Sequence, residues 1–138
     1  LRLEKNWGAW TLDFRPDFTA VESGLDAFIY WDKEFIGKKA TMEERKNGPK
    51  KKLVTMTIDT EDIDVTNDEA ILKDDKCVGY ITSGGYAHHI KKSMGLGYVP
   101  SNLSKHGTSL NVEINGKLYP AHVTERPLYD ANGGKMKS

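Results

Sequence analysis

The chain has 138 residues with 20 basic and 20 acidic side chains, so its formal net charge is zero. This length suits a single ordinary domain with a sizeable core. The balanced charge argues against a nucleic-acid partner, which normally requires an excess of Lys and Arg on one face. The sequence contains no run of about 18 apolar residues and no signal-peptide pattern, so we expect no contact with a membrane.

The segment 1–48 is predicted to mix strands with one helix. Residues 1–4 alternate apolar and charged side chains, as a half-buried strand does, and the aromatic run within residues 25–32 predicts a buried strand. A weakly amphipathic segment then predicts a helix that ends at Gly48-Pro49, because glycine terminates helices and proline cannot continue them.

From residue 51 onward, short strands separated by turns predominate. Strands at such regular spacing, without helical segments between them, predict a small antiparallel barrel or sandwich. Asn115-Gly116 is a strong hairpin signal, and Asp74-Asp75 predicts a second hairpin. Cys77, the single cysteine, is predicted to be a buried and inert thiol. The predicted strands are residues 53–58, 70–73, 77–82, 94–99, 109–114 and 118–124.

The segment of residues 80–100 is the first place to look for a function. We predict two short strands, 80–82 and 96–99, joined by a long loop with Gly84-Gly85, in which Tyr86 and His88 form the polar wall or lid of a site. His88 and His89 are adjacent and would point to opposite sides of an extended chain, so we predict no metal site.

No nucleophile motif, phosphate-binding loop or dinucleotide-binding motif occurs, so we predict no catalytic residue in the chain. From the residues alone, Glu4 is interpreted as an exposed strand glutamate, and the alternative is a carboxylate that accepts two hydrogen bonds from a polar ring. Trp7 and Trp10 are interpreted as packing under a loop, and the alternative is the wall of a site for a planar ligand.

Six segments occur in an order that resembles the C-terminal part of the glycine-cleavage T-protein (aminomethyltransferase) family. Lys5 after the LRLE segment, and Tyr86-Ala87-His88 followed by Lys92-Ser93, are most similar to the dimethylglycine dehydrogenase and sarcosine dehydrogenase branch. The six segments are LRLEK at 1–5, FTAVESGLDAFI at 18–29, DKEFIGKKA at 32–40, GYITSGGYAH at 79–88, KKSMGLGYVP at 91–100 and YPAHVTERPLYD at 119–130.

The resemblance implies a mainly β, α+β fragment. Residues 1–48 would be the end of a folate-binding domain, and residues 51–138 a small antiparallel Greek-key β-barrel. It also implies tetrahydrofolate binding and one-carbon transfer, with FAD only in an upstream portion. Glu4 resembles a pterin-contacting carboxylate. Lys33 falls near a basic position that contacts the rest of folate, although Asp32-Lys33 replaces an Arg-rich run.

The family's catalytic Asp precedes the part of the pattern matched here, so we expect the chain alone to be inactive and to bind folate weakly or not at all. The expected partners are a small-molecule amine, folate and the remaining portion of a parent chain. The expected location is the cytoplasm, or the mitochondrial matrix in a eukaryote. Two alternatives stay open: a T-protein of the glycine cleavage system, and a non-enzymatic β-barrel that binds a ligand or partner through Trp7, Trp10 and Tyr86.

Overall fold

The computed structural model describes residues 1–124 and 127–137, without the side chain of Met136. Glu125, Arg126 and Ser138, which fall within the predicted unit of residues 51–138, lie outside the described residues. The described chain is a closed barrel of six antiparallel strands preceded by one α-helix, which confirms the predicted mainly β fold. The elements are α1 (Lys38–Asn47), β1 (Lys51–Ile58), β2 (Ala70–Lys73), β3 (Lys76–Ala87), β4 (Lys92–Pro100), β5 (Ser109–Ile114) and β6 (Lys117–Thr124).

The barrel has the strand order β1-β4-β3-β2-β5-β6, and it closes because β1 pairs with both β4 and β6. Strands β2, β3 and β4 follow one another as antiparallel neighbours. Residues 59–69 form a long connection from β1 to β2, and β1 pairs with β4 at the other side of these three strands. This arrangement is a Greek key. In the described residues each strand therefore has a neighbour on both sides, and the contact between β2 and β5 is limited to two residue pairs.

The hydrophobic core lies inside the barrel. Side chains alternate between the two faces of a strand, so every second residue of β1 and β5 points inward. Every member of the main core cluster comes from position 54 or later, so the segment 1–48 adds no side chain to it. The cluster consists of Val54, Met56, Ile58, Val65, Ile71, Ile81, Val99, Leu110, Val112, Ile114, Ala121 and Val123.

Glycines let neighbouring strands of the barrel approach closely. A Cβ atom on Gly97 would lie 2.7 Å from the carbonyl oxygen of Tyr80 and 2.7 Å from Cδ1 of Ile71. A Cβ atom on Gly79 would overlap the carbonyl oxygen of Tyr98. Real Cβ atoms do not tolerate such contacts with backbone, so a side chain at either position would push β3 and β4 apart.

The hairpin predictions are confirmed. Asp74 and Asp75 both adopt positive φ between β2 and β3, and Asn115 and Gly116 do the same between β5 and β6. Two consecutive residues with positive φ make the type I′ turn, whose twist matches that of the flanking strands. The helix prediction is also confirmed, since α1 ends at Asn47 directly before Gly48.

The two strand predictions within the segment 1–48 are wrong. The start of the chain holds a short 3₁₀ helix, Leu3–Lys5, and both Glu4 and Lys5 are buried. Their burial means that the alternation of apolar and charged residues there does not mark one exposed and one buried face. A second 3₁₀ helix, Asp26–Phe28, replaces the other predicted strand, and Phe28 is exposed because no described residue covers it.

The predicted long loop of the 80–100 segment is instead a β-hairpin. β3 extends to Ala87, β4 begins at Lys92, and only residues 88–91 form the turn. Gly84-Gly85 suggested a loop, but a Cβ atom on Gly84 would collide with the backbone of Val65, so close packing explains this glycine. The predicted burial of Cys77 is also wrong, because this residue follows the exposed turn between β2 and β3.

The predicted packing of Trp7 and Trp10 under a loop is wrong as well, since both side chains are exposed. Trp10 contacts Phe14 edge-to-face, with ring centroids 5.7 Å apart. Among the described helices, none is long and apolar enough to cross a membrane.

Candidate functional site

Glu4 is the centre of a polar cluster between the first 3₁₀ helix and the β3–β4 turn. Its side chain is 2% exposed. One carboxylate oxygen accepts the backbone N–H of His89 at 2.7 Å, and the other lies 3.1 Å from Nδ1 of the same residue. The interpretation of Glu4 as an exposed strand glutamate is therefore wrong. Its carboxylate is buried and accepts two parallel hydrogen bonds from one donor residue.

The surroundings favour the ionised form of Glu4. Burial raises the pKa of its carboxyl. The backbone and side-chain hydrogen bonds from His89 act in the opposite direction, and the net pKa lies below the ordinary value of 4.5. A carboxylate that accepts two N–H donors is stabilised in its charged form. Because Oε2 accepts from Nδ1, His89 carries a proton on Nδ1 in this arrangement.

A cavity of about 440 Å³ opens beside this pair. Three of its walls are aromatic rings, those of Trp7, His89 and Tyr129. The rings of His89 and Tyr129 are 4.1 Å apart between centroids and tilted by 33°, so they form one continuous wall. The remaining lining residues are Leu1, Arg2, Lys5, Asp130 and Lys135. Such a cavity suits a planar ring with polar edges.

The segment of residues 127–137 is tied to the first 3₁₀ helix by a buried ion pair. Nζ of Lys5 lies 3.3 Å from Oδ2 of Asp130, and both side chains are less than a tenth exposed. Burial raises the pKa of Asp130, but hydrogen bonds from the Lys135 backbone and from Lys5 lower it more. The backbone N–H of Tyr129 also donates to the carbonyl oxygen of Glu4. These contacts hold Tyr129 at the cavity wall.

Asp13 joins the segment 1–48 to the outer face of the barrel. This carboxylate is fully buried and accepts hydrogen bonds from the hydroxyls of Thr82 and Ser83, and from the backbone N–H of Ala9 at 2.7 Å. Nη1 of Arg2 lies 3.3 Å from Oδ2 of Asp13 and forms an ion pair with it.

A β-bulge explains why two consecutive side chains reach one carboxylate. The register between β3 and β4 shifts between Ile81 and Ser83. At a bulge, two residues of one strand stand opposite one residue of the partner, so consecutive side chains can point to the same face. Thr82 and Ser83 both face Asp13 for this reason.

The four residues predicted as cofactor contacts lie in different places. Tyr86 and His88 are exposed and form an edge-to-face pair with ring centroids 5.0 Å apart, on the same hairpin as His89. Glu4 lies beside the cavity. Lys33 is exposed ahead of α1 and is not among the cavity-lining residues, so the structure does not bring it together with Glu4.

Sequence reasoning missed Arg2, Asp13, His89 and Tyr129. Asp13 carries no signal, because its partners lie about 70 positions away and depend on the bulge. His89 was considered only as a metal ligand beside His88. Within residues 1–124 and 127–137, no group of three His, Cys, Asp or Glu side chains is placed to hold a metal ion.

Comparisons with known proteins agree with this fold. Residues 51–130 match the family described as "Glycine cleavage T-protein C-terminal barrel domain". The chain belongs to this family. The resemblance that the sequence showed is thereby confirmed.

Individual relatives extend the similarity over nearly the whole chain. A 130-residue alignment is 42% identical to the human protein "Dimethylglycine dehydrogenase, mitochondrial" and covers 93% of this chain and 15% of the relative. The aminomethyltransferase of Synechocystis sp. is 34% identical over 131 residues, which cover 94% of this chain and 35% of the relative.

A solved structure shows the same three-dimensional arrangement. The crystal structure of glycine cleavage system aminomethyltransferase T from Bartonella henselae superposes with a TM-score of 0.86 at 26% identity. The superposition covers 95% of this chain and 37% of that chain. This chain therefore spans well under half the length of the relatives that it matches.

Proposed function

We propose that this chain is one part of a tetrahydrofolate-dependent enzyme that transfers a one-carbon unit from an amine, of the dimethylglycine dehydrogenase type. Membership of the T-protein barrel family supports the folate-dependent class. The higher identity to dimethylglycine dehydrogenase than to the aminomethyltransferases supports the branch. The observation that carries the proposal is the ionised, buried carboxylate of Glu4 beside an aromatic cavity.

The residues present fit a pterin ring. Glu4 accepts two hydrogen bonds from His89, and the aminopyrimidine edge of a pterin offers two N–H donors in a similar parallel arrangement. Trp7 and Tyr129 would flank the ring plane. When bound, tetrahydrofolate supplies the amine nitrogens that accept the one-carbon unit. The chain's own residues orient and enclose the ring, and we assign no catalytic group to them.

In the proposed arrangement, His89 forms hydrogen bonds with the carboxylate of Glu4 until the pterin ring binds and replaces it. The His89 side chain is 48% exposed, and His89 lies on the four-residue turn after β3. A shift of this turn would withdraw both the side chain and the backbone N–H from Glu4 without disturbing the core. Tyr86 and His88 lie on the same hairpin, where they would border the entrance. Lys33 would contact the rest of folate only if other protein residues place the folate tail over α1.

The partner of this chain would be the rest of a longer protein. Large apolar side chains are exposed mainly within residues 1–48, which suits contact with further protein. FAD, where such a protein uses it, would be bound outside this chain. The mitochondrial matrix is the proposed location in a eukaryote, because the dimethylglycine dehydrogenase relatives are named as mitochondrial.

A chimeric enzyme tests the proposal. The segment of the Synechocystis aminomethyltransferase that matches this chain is replaced by the chain itself. We expect the chimera to transfer a one-carbon unit to tetrahydrofolate. Glu4→Gln should raise KM for tetrahydrofolate about tenfold with little change in kcat, because the contact is one of binding. His89→Ala should lower that KM, since the competing Nδ1–H donor is gone and only the backbone N–H of residue 89 remains.

Glu34→Gln is the matched control, because Glu34 is an exposed glutamate ahead of α1 whose described ion pair is with Lys38. Its KM should equal that of the unmodified chimera. A folded chimera whose KM is unaffected by Glu4→Gln would contradict the role of Glu4. For the isolated chain, calorimetry should show weak or no tetrahydrofolate binding, and micromolar affinity would contradict the view that most folate contacts lie elsewhere.

A further inference from the structure

The ring of Tyr129 reaches the site of Glu4 from the other end of the chain. Its centroid is 4.1 Å from that of the His89 ring, and its backbone N–H donates to the carbonyl oxygen of Glu4 at 3.3 Å. The imidazole of His89 therefore contacts the carboxylate of Glu4 at its edge and the ring of Tyr129 at its face. A pterin that replaced this imidazole would make both contacts.

Asp130, the next residue, organises the segment 127–137. It has a φ of 47°, a conformation that Asp adopts more readily than most residues. Its carbonyl oxygen accepts the backbone N–H of Gly133 at 2.9 Å, and Oδ1 accepts the backbone N–H of Lys135 at 3.2 Å. A short 3₁₀ helix, Gly134–Met136, follows, and Nζ of Lys135 lies 5.0 Å from the centroid of the Tyr129 ring. The segment is thus folded back on Tyr129.

Lys5 connects this segment to the first 3₁₀ helix. Its Nζ atom donates to the carbonyl oxygen of Asp130 and lies 3.3 Å from Oδ2 of the same residue. The two side chains are 8% and 7% exposed, so water competes little for the contact. Because Oδ1 and Oδ2 of Asp130 both have partners within the chain, we interpret the pair as a link between the two segments. It is not arranged to bind a charged ligand.

One turn of the chain serves two sides of the cavity. Glu4 and Lys5 are consecutive, and both are buried. The carboxylate of Glu4 contacts the hairpin of β3 and β4, whereas the ammonium group of Lys5 contacts the segment 127–137. The backbone N–H of Asn6 closes this turn by donating to the carbonyl oxygen of Leu3 at 2.9 Å. The turn and the Lys5–Asp130 pair together fix where the Tyr129 ring stands relative to the carboxylate.

We propose that Lys5 and Asp130 are positioning residues of the folate site, and that their ion pair holds Tyr129 as the wall on which the pterin stacks. Because Tyr129 belongs to the site proposed for folate, this role rests on the proposed function. Neither Lys5 nor Asp130 contacts the reacting atoms, and both act through Tyr129. Loss of the pair should therefore weaken binding of the ring and leave the transfer step unchanged.

NMR of the isolated chain tests the positioning without folate. The ring current of Tyr129 should displace the ring-proton resonances of His89, and Tyr129→Leu gives their positions without that ring. Lys5→Met and Asp130→Asn should each move the resonances toward the Tyr129→Leu positions. Both residues lie outside the apolar core cluster, so the barrel of these variants should stay folded. Resonances that stay at their original positions in both variants would overturn the proposal.

The matched control is Asp17→Asn, which removes the same charge from an exposed aspartate that is paired with Arg15. It should leave the resonances of His89 unchanged. An equal displacement in Asp17→Asn and Asp130→Asn would show a general effect of charge and would overturn the proposal.

Kinetics of the Synechocystis chimera test the role in folate binding. The variants are made in the His89→Ala background, which removes the imidazole that also stacks on Tyr129. Lys5→Met and Asp130→Asn should each raise KM for tetrahydrofolate about fivefold with kcat unchanged, the size expected for one aromatic stacking contact. The double variant should raise KM no further than either single variant, because both substitutions remove one interaction.

The folate proposal and the positioning role fail in different ways. A KM that is unaffected by Glu4→Gln contradicts the folate site, and the NMR measurement then still decides whether the pair holds Tyr129. A KM that rises in Glu4→Gln but not in Lys5→Met or Asp130→Asn would overturn the positioning role alone. A fall in kcat without a rise in KM would overturn it as well, since the pair would then act on the transfer step.

Discussion

At the scale of single residues, Glu4 shows how far the sequence could lead. The resemblance pointed to this residue, but its burial and its partner could not be predicted. Which of two adjacent histidines faces a carboxylate depends on the φ and ψ angles of a four-residue turn, and Lys91 in that turn has a φ of 53°. No periodicity in the sequence encodes such a conformation for lysine. The structure selects His89, whereas the sequence favoured His88.

The Glu4–His89 contact predicts a specific dependence of stability on pH. The pKa of Glu4 is lower in the folded chain than its ordinary value of 4.5. Its contribution to stability is therefore fully present above about pH 4.5 and is lost as the pH falls through the folded-state pKa. We expect Glu4→Gln to lower the free energy of unfolding by about 1–3 kcal/mol at pH 7.

Urea denaturation of both proteins between pH 7 and pH 3 measures this effect. The difference between the original chain and Glu4→Gln should shrink below about pH 4.5, because the original chain loses its ionised acceptor there. Glu34→Gln should show a small difference at every pH, since the Glu34 side chain is 89% exposed. A difference for Glu4→Gln that stays constant with pH would contradict the assignment.

At the scale of elements, the strands and turns that depend on local chemistry could be predicted, and those that depend on distant partners could not. The hairpins at Asp74-Asp75 and Asn115-Gly116 follow from residues that accept positive φ. The bulge in β3 could not be predicted from local residues, because it turns two consecutive side chains toward Asp13, a residue about 70 positions earlier. The same holds for Asp26–Phe28, where an aromatic run without a pairing strand does not become a strand.

The bulge and Asp13 together predict a large cost for one substitution. Asp13→Ala removes the carboxylate that accepts from the Ser83 hydroxyl and from the Ala9 backbone N–H. The Thr82 hydroxyl keeps the carbonyl of Leu96 as an acceptor. The Asp13 side chain is fully buried, whereas Arg2 is 40% exposed and stays solvated without it. A buried donor left without an acceptor costs about 1–3 kcal/mol, and we expect a loss of that size in the free energy of unfolding.

Asp17→Ala is the matched control for this experiment. Asp17 also pairs with an arginine, Arg15, which is as exposed as Arg2, but the Asp17 side chain is itself 62% exposed. Exposed pairs contribute about 0–1 kcal/mol, so urea denaturation should show almost no change. Similar losses for the two variants would show that Asp13 does not fix the segment 1–48 to the barrel.

At the scale of the whole molecule, the two parts of the chain differ in how they are held together. The barrel has an apolar core, whereas residues 1–48 are attached to it through Glu4, Asp13 and the stacked rings of Phe18 and Tyr98, 3.5 Å apart. Eight of the eleven large apolar side chains exposed in the described chain lie within residues 1–48. A segment without its own core and with an apolar surface is typical of part of a larger domain.

This difference predicts that substitutions on the apolar surface act differently in the chain and in a longer protein. Phe28→Ser together with Ile36→Ser should leave the thermal midpoint of the isolated chain nearly unchanged, because both side chains are exposed there. In the Synechocystis chimera the same pair should lower the midpoint by several degrees, since burying each side chain contributes about 1.5–3 kcal/mol. Leu118→Ser, on the exposed face of β6, should have equal effects in both proteins. Equal effects of the Phe28 and Ile36 pair in both proteins would show that this surface faces solvent in the longer protein as well.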